Sequence, residues 1–458
     1  MLLEPAFVLE KLNERVFGQE RAKKNLTKVV FMNLIRLFFT EEQRKTFNKK
    51  NVLLKGPTGS GKTELARALA EILGIPFCRV SATDFTLTGY KGSDPDEIVT
   101  VHLYNEVLAN LDEYWERFSE LLVLRETYYA LLNSSDKHIS EYMIENNVGI
   151  LDLMEFVMED TKEKEKNFAG DQDKKEAVFD FYDDSWEEIP LTPENIKEIE
   201  EMVLSVEEEL LLESMNKDHI KHDINITEET FKEIVKEQYE REFRKFKHLR
   251  KNEKVRYLME YSVIFIDEFD KIFLKGPHVE DFYKNLQKQI LTLIEGKNIR
   301  KGPVSVSTEN MTFITAGTFA DVNSDDLIGE LKGRFPVITE VKELDFEAYL
   351  RILKRKLELS SVFGYLRNRW NVKITMSAIR ELAIACKELN EIEYLGARRV
   401  EQLVYLVMNY IIDKLLLEDR KEVIVNAKVV RKLLKLLLSF DVIDGEKGRE
   451  SRPRLGFI

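Results

Sequence analysis

One eight-residue segment, GPTGSGKT at 56–63, constrains the fold of this chain more than any other part of it. It matches the G-x-x-x-x-G-K-[ST] pattern of a phosphate-binding loop. A short apolar run, NVLLK at 51–55, precedes it, and TELARALAEIL, with helical spacing of its apolar residues, follows it. Strand, glycine-rich turn and helix in this order predict an α/β nucleotide-binding fold with a phosphate site at the carboxyl end of the strand.

The residues of this loop have distinct predicted roles toward ATP. Its glycines let successive backbone N–H groups point at phosphate oxygens, and the helix that follows directs its positive dipole end to the same place. Lys62 is expected to reach the β and γ phosphates, and Thr63 to hold Mg²⁺ through its hydroxyl. The predicted nucleotide-binding residues here are Gly56, Pro57, Thr58, Gly59, Ser60, Gly61, Lys62 and Thr63.

A second segment, VIFIDE at 263–268, supplies the acidic partners of such a loop. Its apolar run predicts a buried strand, which delivers Asp267 to the sheet edge where Mg²⁺ must lie. Glu268 is then the candidate that activates a water for attack on the γ phosphate. Asp270 and Lys271 follow, and we interpret them as a surface ion pair.

The spacing of these motifs predicts a large insertion. A second short strand is expected at 75–82, followed by a loop marked by Gly89 and Gly92. The 170 residues at 93–262 then separate this loop from the acidic strand, whereas a βαβ unit needs only about 30 residues. The whole chain has 458 residues, which at roughly 150 residues per domain predicts about three domains.

The insert has helical periodicity at both of its ends. Tyr104, Leu108, Leu111, Trp115, Phe118 and Leu122 follow steps of four and three, and so do Val235, Tyr239, Phe243 and Phe246. This predicts two long antiparallel helices that form a stalk; the alternative is that the same stripes are ordinary core against the main body. The acidic stretch at 155–188 lacks strong periodicity and is predicted to be mobile.

The predicted fold class is therefore an α/β nucleotide domain with an inserted helical domain and a mostly helical C-terminal domain. The predicted boundaries are 1–92 with 263–340, then 93–262, then 341–458. Three helical segments follow residue 345, and one strand is expected at 422–425.

Charge and cysteine content limit the partners and the compartment. Sixty-nine basic against 82 acidic residues give a net charge of −13, which argues against a general electrostatic grip on nucleic acid or anionic lipid. No membrane-spanning or secretory segment is recognisable at the N-terminus or in the most apolar run. The only two cysteines, Cys78 and Cys386, have no disulfide or zinc-ligand spacing, so we expect a cytoplasmic protein.

Six segments in chain order resemble the HslU (ClpY) family of AAA+ ATPases. They are VFGQERAKKN at 16–25, the phosphate loop, ATDFTLTGYKG at 82–92, VIFIDEFDKI at 263–272, LIGELKGRFP at 327–336 and LGARRVEQLV at 395–404. Within 93–262 only the presence of a large helical insert agrees with the family, and it matches the intermediate domain that distinguishes this family from ClpX. The resemblance implies a homohexameric ring that uses ATP and Mg²⁺ to unfold protein substrates and feeds them to an HslV-like peptidase.

The resemblance also implies roles for residues outside the two motifs above. Arg334 corresponds to an arginine finger that reaches the nucleotide of the neighbouring subunit, and Arg398 to a second sensor that contacts the phosphates. Val16 and Phe17 correspond to the segment that packs on adenine. The first-sensor segment, FITAGTF, leaves Thr315 and Thr318 as equal candidates for a polar group that positions water.

A glycine-flanked aromatic residue is the predicted contact with substrate. Gly89, Tyr90, Lys91 and Gly92 match the family's pore loop, whose aromatic ring grips unfolded polypeptide. Lys91 replaces the usual valine of that loop, which would make the pore electropositive. The alternative is that Tyr90 folds back as local core.

The C-terminal tail, RPRLGFI, is the predicted contact with the peptidase. Its apolar residues Leu455, Phe457 and Ile458 differ in spacing from the family's tail, and a frayed terminus is the alternative.

Two other functions stay open from sequence alone. One is a nucleic-acid motor or loader that uses Lys91 and the basic run at 241–254, and the other is a regulatory scaffold that binds nucleotide without turnover.

Overall fold

A computed structural model describes residues 5–39, 44, 49–88, 95–146, 148–149, 152–154, 156–157, 226–273, 280–320, 329–416 and 422–445. Its strands are β1 (Val52–Lys55), β2 (Phe77–Ser81), β3 (Val263–Asp267), β4 (Asn298–Lys301), β5 (Val304–Ser307), β6 (Thr312–Gly317), β7 (Val337–Glu340), β8 (Val372–Ile374) and β9 (Val423–Val425). Its helices are α1 (Pro5–Arg15), α2 (Glu20–Ile35), α3 (Lys62–Leu73), α4 (Ala82–Thr88), α5 (Pro95–Ala109), α6 (Leu111–Leu132), α7 (Lys137–Glu145), α8 (Glu228–Lys247), α9 (Lys251–Glu260), α10 (Glu280–Glu295), α11 (Gly329–Gly333), α12 (Phe346–Leu359), α13 (Ser361–Trp370), α14 (Met376–Ile392), α15 (Ala397–Leu416) and α16 (Ala427–Gly445).

Five parallel strands form the central sheet in the order β2-β3-β6-β1-β7. The central strands are buried on both faces, as their unbroken apolar runs predict. Because β6 lies between β1 and β3, the phosphate loop after β1 and the carboxylates after β3 flank the end of β6 at one sheet edge. The predicted parallel α/β class is confirmed.

The segment after β2 is helical where the sequence predicted a loop. Residues Ala82–Thr88 form α4, so the loop prediction was wrong over these residues. The side chain of Asp84 accepts a hydrogen bond from Ser81 N at 3.1 Å, and Phe85 is buried. A cap and one buried aromatic residue are enough to order a short helix that has little periodicity of its own.

The described helices of the insert pack against each other and against the sheet unit. Trp115 near the start of α6 lies 6.4 Å from Phe246 near the end of α8, so these two helices run antiparallel. Trp115 also lies 6.4 Å from Tyr257, and Phe118 lies 5.6 Å from Tyr261, which both belong to the segment leading back to β3. The aromatic stripes therefore pack between the two predicted helices and also against the segment that leads back to the sheet. Both interpretations of the stripes hold in part. The first predicted helix is broken at Asn110, whose side chain donates to Glu106.

The C-terminal part from 344 onward has a separate apolar core within the described residues. It is mostly helical, as predicted, and capping side chains start three of its helices: Asp345, Ser360 and Thr375 accept from backbone N–H groups three residues later. The predicted strand at 422–425 is observed as β9, paired in parallel with β8, which the sequence did not reveal. The hairpin of β4 and β5 was also missed, because strands of four residues carry little periodicity.

Both cysteines are free and buried, and burial raises the pKa of each thiol to about 12. Within the described ranges, no helix combines the length and the apolar character that a bilayer span requires. The acidic stretch predicted to be mobile lies outside the described residues, apart from 156–157.

Candidate nucleotide-hydrolysis site

The phosphate loop joins β1 to α3 as predicted, and glycine is required at three of its positions. Gly59 and Gly61 have φ of 76° and 93°, a region that disfavours other residues. A Cβ on Gly56 would lie 2.1 Å from Val341 O. The loop therefore has a fixed, compact shape, and its backbone leads directly into the N-terminus of a twelve-residue helix.

Lys62 and Thr63 begin that helix and face the cleft. The Lys62 ammonium donates to Gly56 O and Pro57 O, both at 2.7 Å. Burial of the ammonium lowers the pKa of Lys62, and the negative charges of Asp267 and Asp270 oppose this shift. The Thr63 hydroxyl donates to the carboxylate of Asp267 at 3.5 Å, so the two predicted Mg²⁺ ligands come together.

Asp267 and Glu268 lie at the carboxyl end of β3, with Asp267 paired in register with Ser81 of β2. The Ser81 hydroxyl donates to Glu268 Oε2 at 3.5 Å. The guanidinium of Arg79 contacts Asp267 Oδ2 at 2.6 Å. No sequence motif points to this arginine, because alternation along β2 indicates only that its side chain lies away from the core.

The donors at this edge are oxygen atoms, the ligand type that Mg²⁺ and other hard divalent cations take. A hydroxyl and a carboxylate 3.5 Å apart fit an ion that takes oxygen ligands, uses few protein groups and completes its shell with water and phosphate. Among the described residues, no group of three or more His, Cys, Asp and Glu side chains is placed to hold a metal.

The two candidate sensor threonines are separated by the fold. Thr315 is fully buried, and its hydroxyl donates to Val52 O at 3.4 Å within the sheet. Thr318 lines the cleft, and its hydroxyl donates to Asp270 Oδ2 at 2.8 Å. Asp270 is only 6% exposed, so its interpretation as part of a surface ion pair was wrong. The chain after β3 forms a 3-10 helix, Phe269–Phe273, which places the Asp270 carboxylate in the interior.

The N-terminal segment reaches the same cleft. Val16 and Phe17 line it, and the Arg351 guanidinium lies 5.9 Å from the Phe17 ring centroid. Gln19, at φ 66°, pairs with the backbone of Lys342: its Nε2 donates to Lys342 O at 2.7 Å, and Lys342 N donates to its Oε1 at 2.9 Å. This amide, which the sequence analysis did not single out, ties the segment to the chain that leaves the sheet.

The helical C-terminal part closes the cleft through the segment that carries Arg398. Ala397 N donates to Gly59 O at 2.8 Å, and a Cβ on Gly396 would lie 2.3 Å from that same oxygen. Asn390, which is buried, holds this turn: its Oδ1 accepts from Leu395 N and Gly396 N at 2.7 and 2.9 Å. Arg398 thereby lies in the cleft beside the phosphate loop, and its contact with phosphates stays a prediction.

The resulting cleft has a volume of about 1200 Å³. Predicted site residues that line it are Val16, Phe17, Thr58, Gly59, Ser60, Gly61, Lys62, Thr63, Asp267, Glu268 and Arg398. Arg334 does not line it. Its guanidinium instead contacts Glu295 Oε1, from Nε at 3.0 Å and from Nη2 at 2.6 Å, at a half-exposed position.

Two predicted sites lie outside the described residues. They are the pore loop, Gly89, Tyr90, Lys91 and Gly92, and the C-terminal tail with Leu455, Phe457 and Ile458. Both stay predictions from the sequence.

Comparison with known proteins agrees with this geometry. The model of the "ATPase family associated with various cellular activities (AAA)" matches residues 52–120 and 210–343, which include the phosphate loop, β3 and β6. With this match, the sheet order and the cleft make the chain an ATPase of the AAA class.

Curated relatives narrow the class to one family. The chain is 30% identical to "ATP-dependent protease ATPase subunit HslU" of Halalkalibacterium halodurans over 88% of this chain and 90% of that protein. Proteins of the same name from Thermosipho africanus and Staphylococcus saprophyticus are 29% and 28% identical, over 94% and 88% of this chain and 96% and 89% of theirs. The chain belongs to the HslU family, which confirms the predicted resemblance.

Proposed function

We propose that this protein is the ATP-driven unfoldase of a two-component protease, a ring that unfolds protein substrates and passes them to an HslV-like peptidase. The observation that carries the proposal is the meeting of the sheet unit and the helical unit at one nucleotide cleft. Gly59 O of the phosphate loop accepts a hydrogen bond from Ala397 N, in the segment that carries Arg398. A nucleotide between the two units would change their relative angle when its γ phosphate is lost.

In this proposal, ATP hydrolysis uses the residues of the sheet edge. Lys62 would neutralise the β and γ phosphates, and Thr63 and Asp267 would hold Mg²⁺, which when bound would help to stabilise the negative charge that develops during hydrolysis. Glu268 orients the attacking water and accepts its proton. Thr318 rather than Thr315 is the first sensor, because its hydroxyl faces the cleft.

The ring is proposed from the position of Arg334. This arginine is half-exposed, outside its own cleft, and paired with one carboxylate that is itself half-exposed. A guanidinium supplied in trans to a neighbouring γ phosphate is worth about 10³- to 10⁵-fold in turnover. We propose a homohexamer in which Arg334 acts as this finger, with the domain boundaries 1–92 with 263–340, 93–262 and 341–458.

Substrate and peptidase contacts are proposed for the two sites outside the described residues. Tyr90, between Gly89 and Gly92, would grip polypeptide in the pore, with Lys91 adding positive charge. The tail with Leu455, Phe457 and Ile458 would dock into the peptidase. The two unpaired buried cysteines support a reducing, cytoplasmic location.

The experiment that tests the proposal combines the purified chain with an HslV peptidase and an unfolded protein such as casein. We expect ATP with Mg²⁺ to produce a hexamer by sedimentation, casein to stimulate ATP turnover, and the peptidase to degrade casein only when ATP is present. A variant lacking 452–458 should keep its ATPase activity and lose stimulation of the peptidase. A monomer, or a hexamer that neither responds to casein nor activates the peptidase, would refute the proposal.

The nucleic-acid alternative has no specific support. In the basic run at 241–254, Arg244 pairs with Glu240, Lys245 pairs with Glu242, and Lys254 lies 5.4 Å from the Trp115 ring. These contacts within the chain engage three of the seven lysine and arginine side chains of the run. The same ATPase assay with DNA in place of casein separates the two functions.

A further inference from the structure

One buried amide, Asn51, connects the strand of the phosphate loop to the proposed arginine finger. Asn51 directly precedes β1 and is 1% exposed. Its Oδ1 accepts from Phe313 N of β6 at 3.1 Å, and its Nδ2 donates to Arg334 O at 3.0 Å. Because a buried amide that lost either partner would leave a polar group unpaired, these two bonds fix its orientation.

The Arg334 peptide is held from its other side as well. The next residue, Phe335, is buried and packs edge-on against Phe269 at 5.7 Å between ring centroids. Phe269 directly follows Glu268. The backbone of Arg334 is thereby set by the sheet and by the segment after β3, whereas its guanidinium makes an exposed ion pair with Glu295.

We propose that Asn51 is a positioning residue for Arg334, so that β1 couples the nucleotide of one subunit to the finger that serves the next. This inference rests on the proposed function of Arg334. β1 is hydrogen-bonded to strands on both of its sides and carries the phosphate loop at one end and Asn51 at the other. Such a strand moves as a rigid body, so a shift of the loop reaches the Arg334 carbonyl without an intervening flexible segment.

The chain offers a matched control for this amide. Asn33 is 2% exposed, and its side chain makes three hydrogen bonds at the same end of the sheet: Nδ2 donates to Lys50 O at 2.7 Å and to Thr312 Oγ1 at 2.9 Å, and Oδ1 accepts from Lys50 N at 2.9 Å. None of these partners is part of the Arg334 segment. If the amides only stabilise the fold, changing Asn33 should harm the protein at least as much as changing Asn51.

The first measurement compares Asn51→Asp with Asn33→Asp. Aspartate keeps the acceptor toward Phe313 N and loses the donor toward Arg334 O. We expect Asn51→Asp to lower kcat by roughly tenfold to a hundredfold, the cost of a misplaced catalytic group, with the KM for ATP changed less than about threefold, since uniform binding is untouched. Asn33→Asp should retain kcat. An unchanged kcat in Asn51→Asp would overturn the inference.

The second measurement uses mixed rings, because a displaced finger harms the neighbour and not its own site. Glu268→Gln subunits have an intact finger and no activated water, so they should restore turnover to Asn51→Asp subunits, as they should to Arg334→Ala subunits. Mixing Asn51→Asp with Arg334→Ala should restore nothing. If Asn51→Asp fails to form rings, Asn51→Ser takes its place. ATP turnover is then measured in the same mixtures, with the same expected outcomes.

The outcomes separate the inference from the proposed function. Rescue of Arg334→Ala without rescue of Asn51→Asp would place the damage in the subunit's own site and overturn the positioning role alone. Failure to rescue Arg334→Ala, or full activity of that variant by itself, would overturn the finger in trans and the inference with it.

Discussion

Glu268 has a φ of 53°, a conformation that costs a residue other than glycine on the order of 1–3 kcal/mol. Two bonds of its own backbone hold it there: its N–H donates to Asp267 Oδ1 at 3.0 Å, and its carbonyl accepts from Lys271 N at 2.9 Å. Strain that is fixed by neighbouring groups at a proposed base keeps the carboxylate in one direction. The same turn places the Asp270 side chain in the interior, where its carboxylate accepts a hydrogen bond from Thr318 beside the cleft.

The two threonines of the sensor segment give a residue-scale prediction. Thr318→Val should lower kcat for ATP by about 10- to 100-fold, because the hydroxyl beside the cleft is lost, and should also lower the urea midpoint, because the buried Asp270 carboxylate loses a hydrogen bond. Thr315→Val, which removes a hydroxyl inside the sheet, should leave kcat nearly unchanged. Steady-state phosphate release measures both. Equal kcat losses in the two variants would contradict the assignment.

A second residue-scale prediction concerns pH. The Lys49 ammonium donates to Thr308 O at 2.7 Å and Met311 O at 3.3 Å, and burial, aided by Arg36 and Arg334, lowers the pKa of Lys49 from 10.5 to about 7 while Glu309 opposes the shift. Between these two pKa values the unfolded chain binds more protons than the folded one, so stability rises with pH across this window. Below pH 7 the full penalty of burying the charge is present.

The test of this pH effect is a comparison of variants. Relative to Lys49→Met, the free energy of unfolding of the parent should rise by about 2 kcal/mol between pH 7 and pH 9, measured by urea titration. Lys50→Met, at the exposed neighbouring position, should follow the parent. A difference between parent and Lys49→Met that does not change with pH would show that the ammonium keeps an ordinary pKa.

At the scale of elements, the contact between the phosphate loop and the turn before α15 joins the two structural units. Gly59 and Gly396 both have positive φ, and their backbones approach too closely for a Cβ on either. The pair therefore does two tasks, since it forms the turns and permits the docking. A hydrogen bond from Ala397 N to Gly59 O completes the contact.

A pair of glycines with the same φ separates these two tasks. Gly396 and Gly302 have φ of 58° and 56°, but a Cβ on Gly302 would meet nothing within 4 Å. Gly302→Ala should cost only the left-handed strain, on the order of 1–2 kcal/mol. Gly396→Ala should in addition weaken ATP binding by about tenfold or more, which corresponds to roughly 1.4 kcal/mol, as measured by titration with a fluorescent nucleotide. Equal ATP affinities would show that the contact is not needed for the cleft.

At the scale of the whole molecule, two apolar cores are distinguishable among the described residues, one that includes the sheet and the insert helices and one in the helical part from 344 onward. The nucleotide cleft lies between them, with residues of both units in its lining. A cleft between two cores allows each unit to stay rigid while their relative orientation changes. This is the arrangement that the proposed motor needs, because force must leave the site through whole units.

The proposed unfolding activity of the hexamer gives the prediction at this scale. Tyr90→Ala should leave ATP turnover nearly unchanged and abolish ATP-dependent unfolding of a folded substrate, because it removes the broad apolar aromatic side chain that is proposed to grip polypeptide. Tyr90→Phe keeps the ring and should retain most of the unfolding activity. Loss of fluorescence from a tagged green fluorescent protein, in the presence of a trap for unfolded protein, measures it. Undiminished unfolding by Tyr90→Ala would exclude the pore-loop role.

The sequence by itself determined the phosphate loop, the buried strand that ends in Asp267, and the helical character of the C-terminal part. Each of these is encoded in a short stretch, by glycine spacing, by an unbroken apolar run or by helical periodicity, so neighbours along the chain are enough to define it. Family resemblance added Arg398 to the site, and its segment does reach the cleft.

Only the tertiary structure decided which of two threonines faces the cleft, that Asp270 is buried, and that Arg79 and Asn51 have partners in functional segments. The partners in these hydrogen bonds are 48 residues apart for Thr318 and Asp270, 188 for Arg79 and Asp267, and 283 for Asn51 and Arg334. A local pattern gives which face of a strand a side chain occupies, but not which strand lies beside it. That neighbour is set by the order β2-β3-β6-β1-β7, which exists only once the whole sheet has formed.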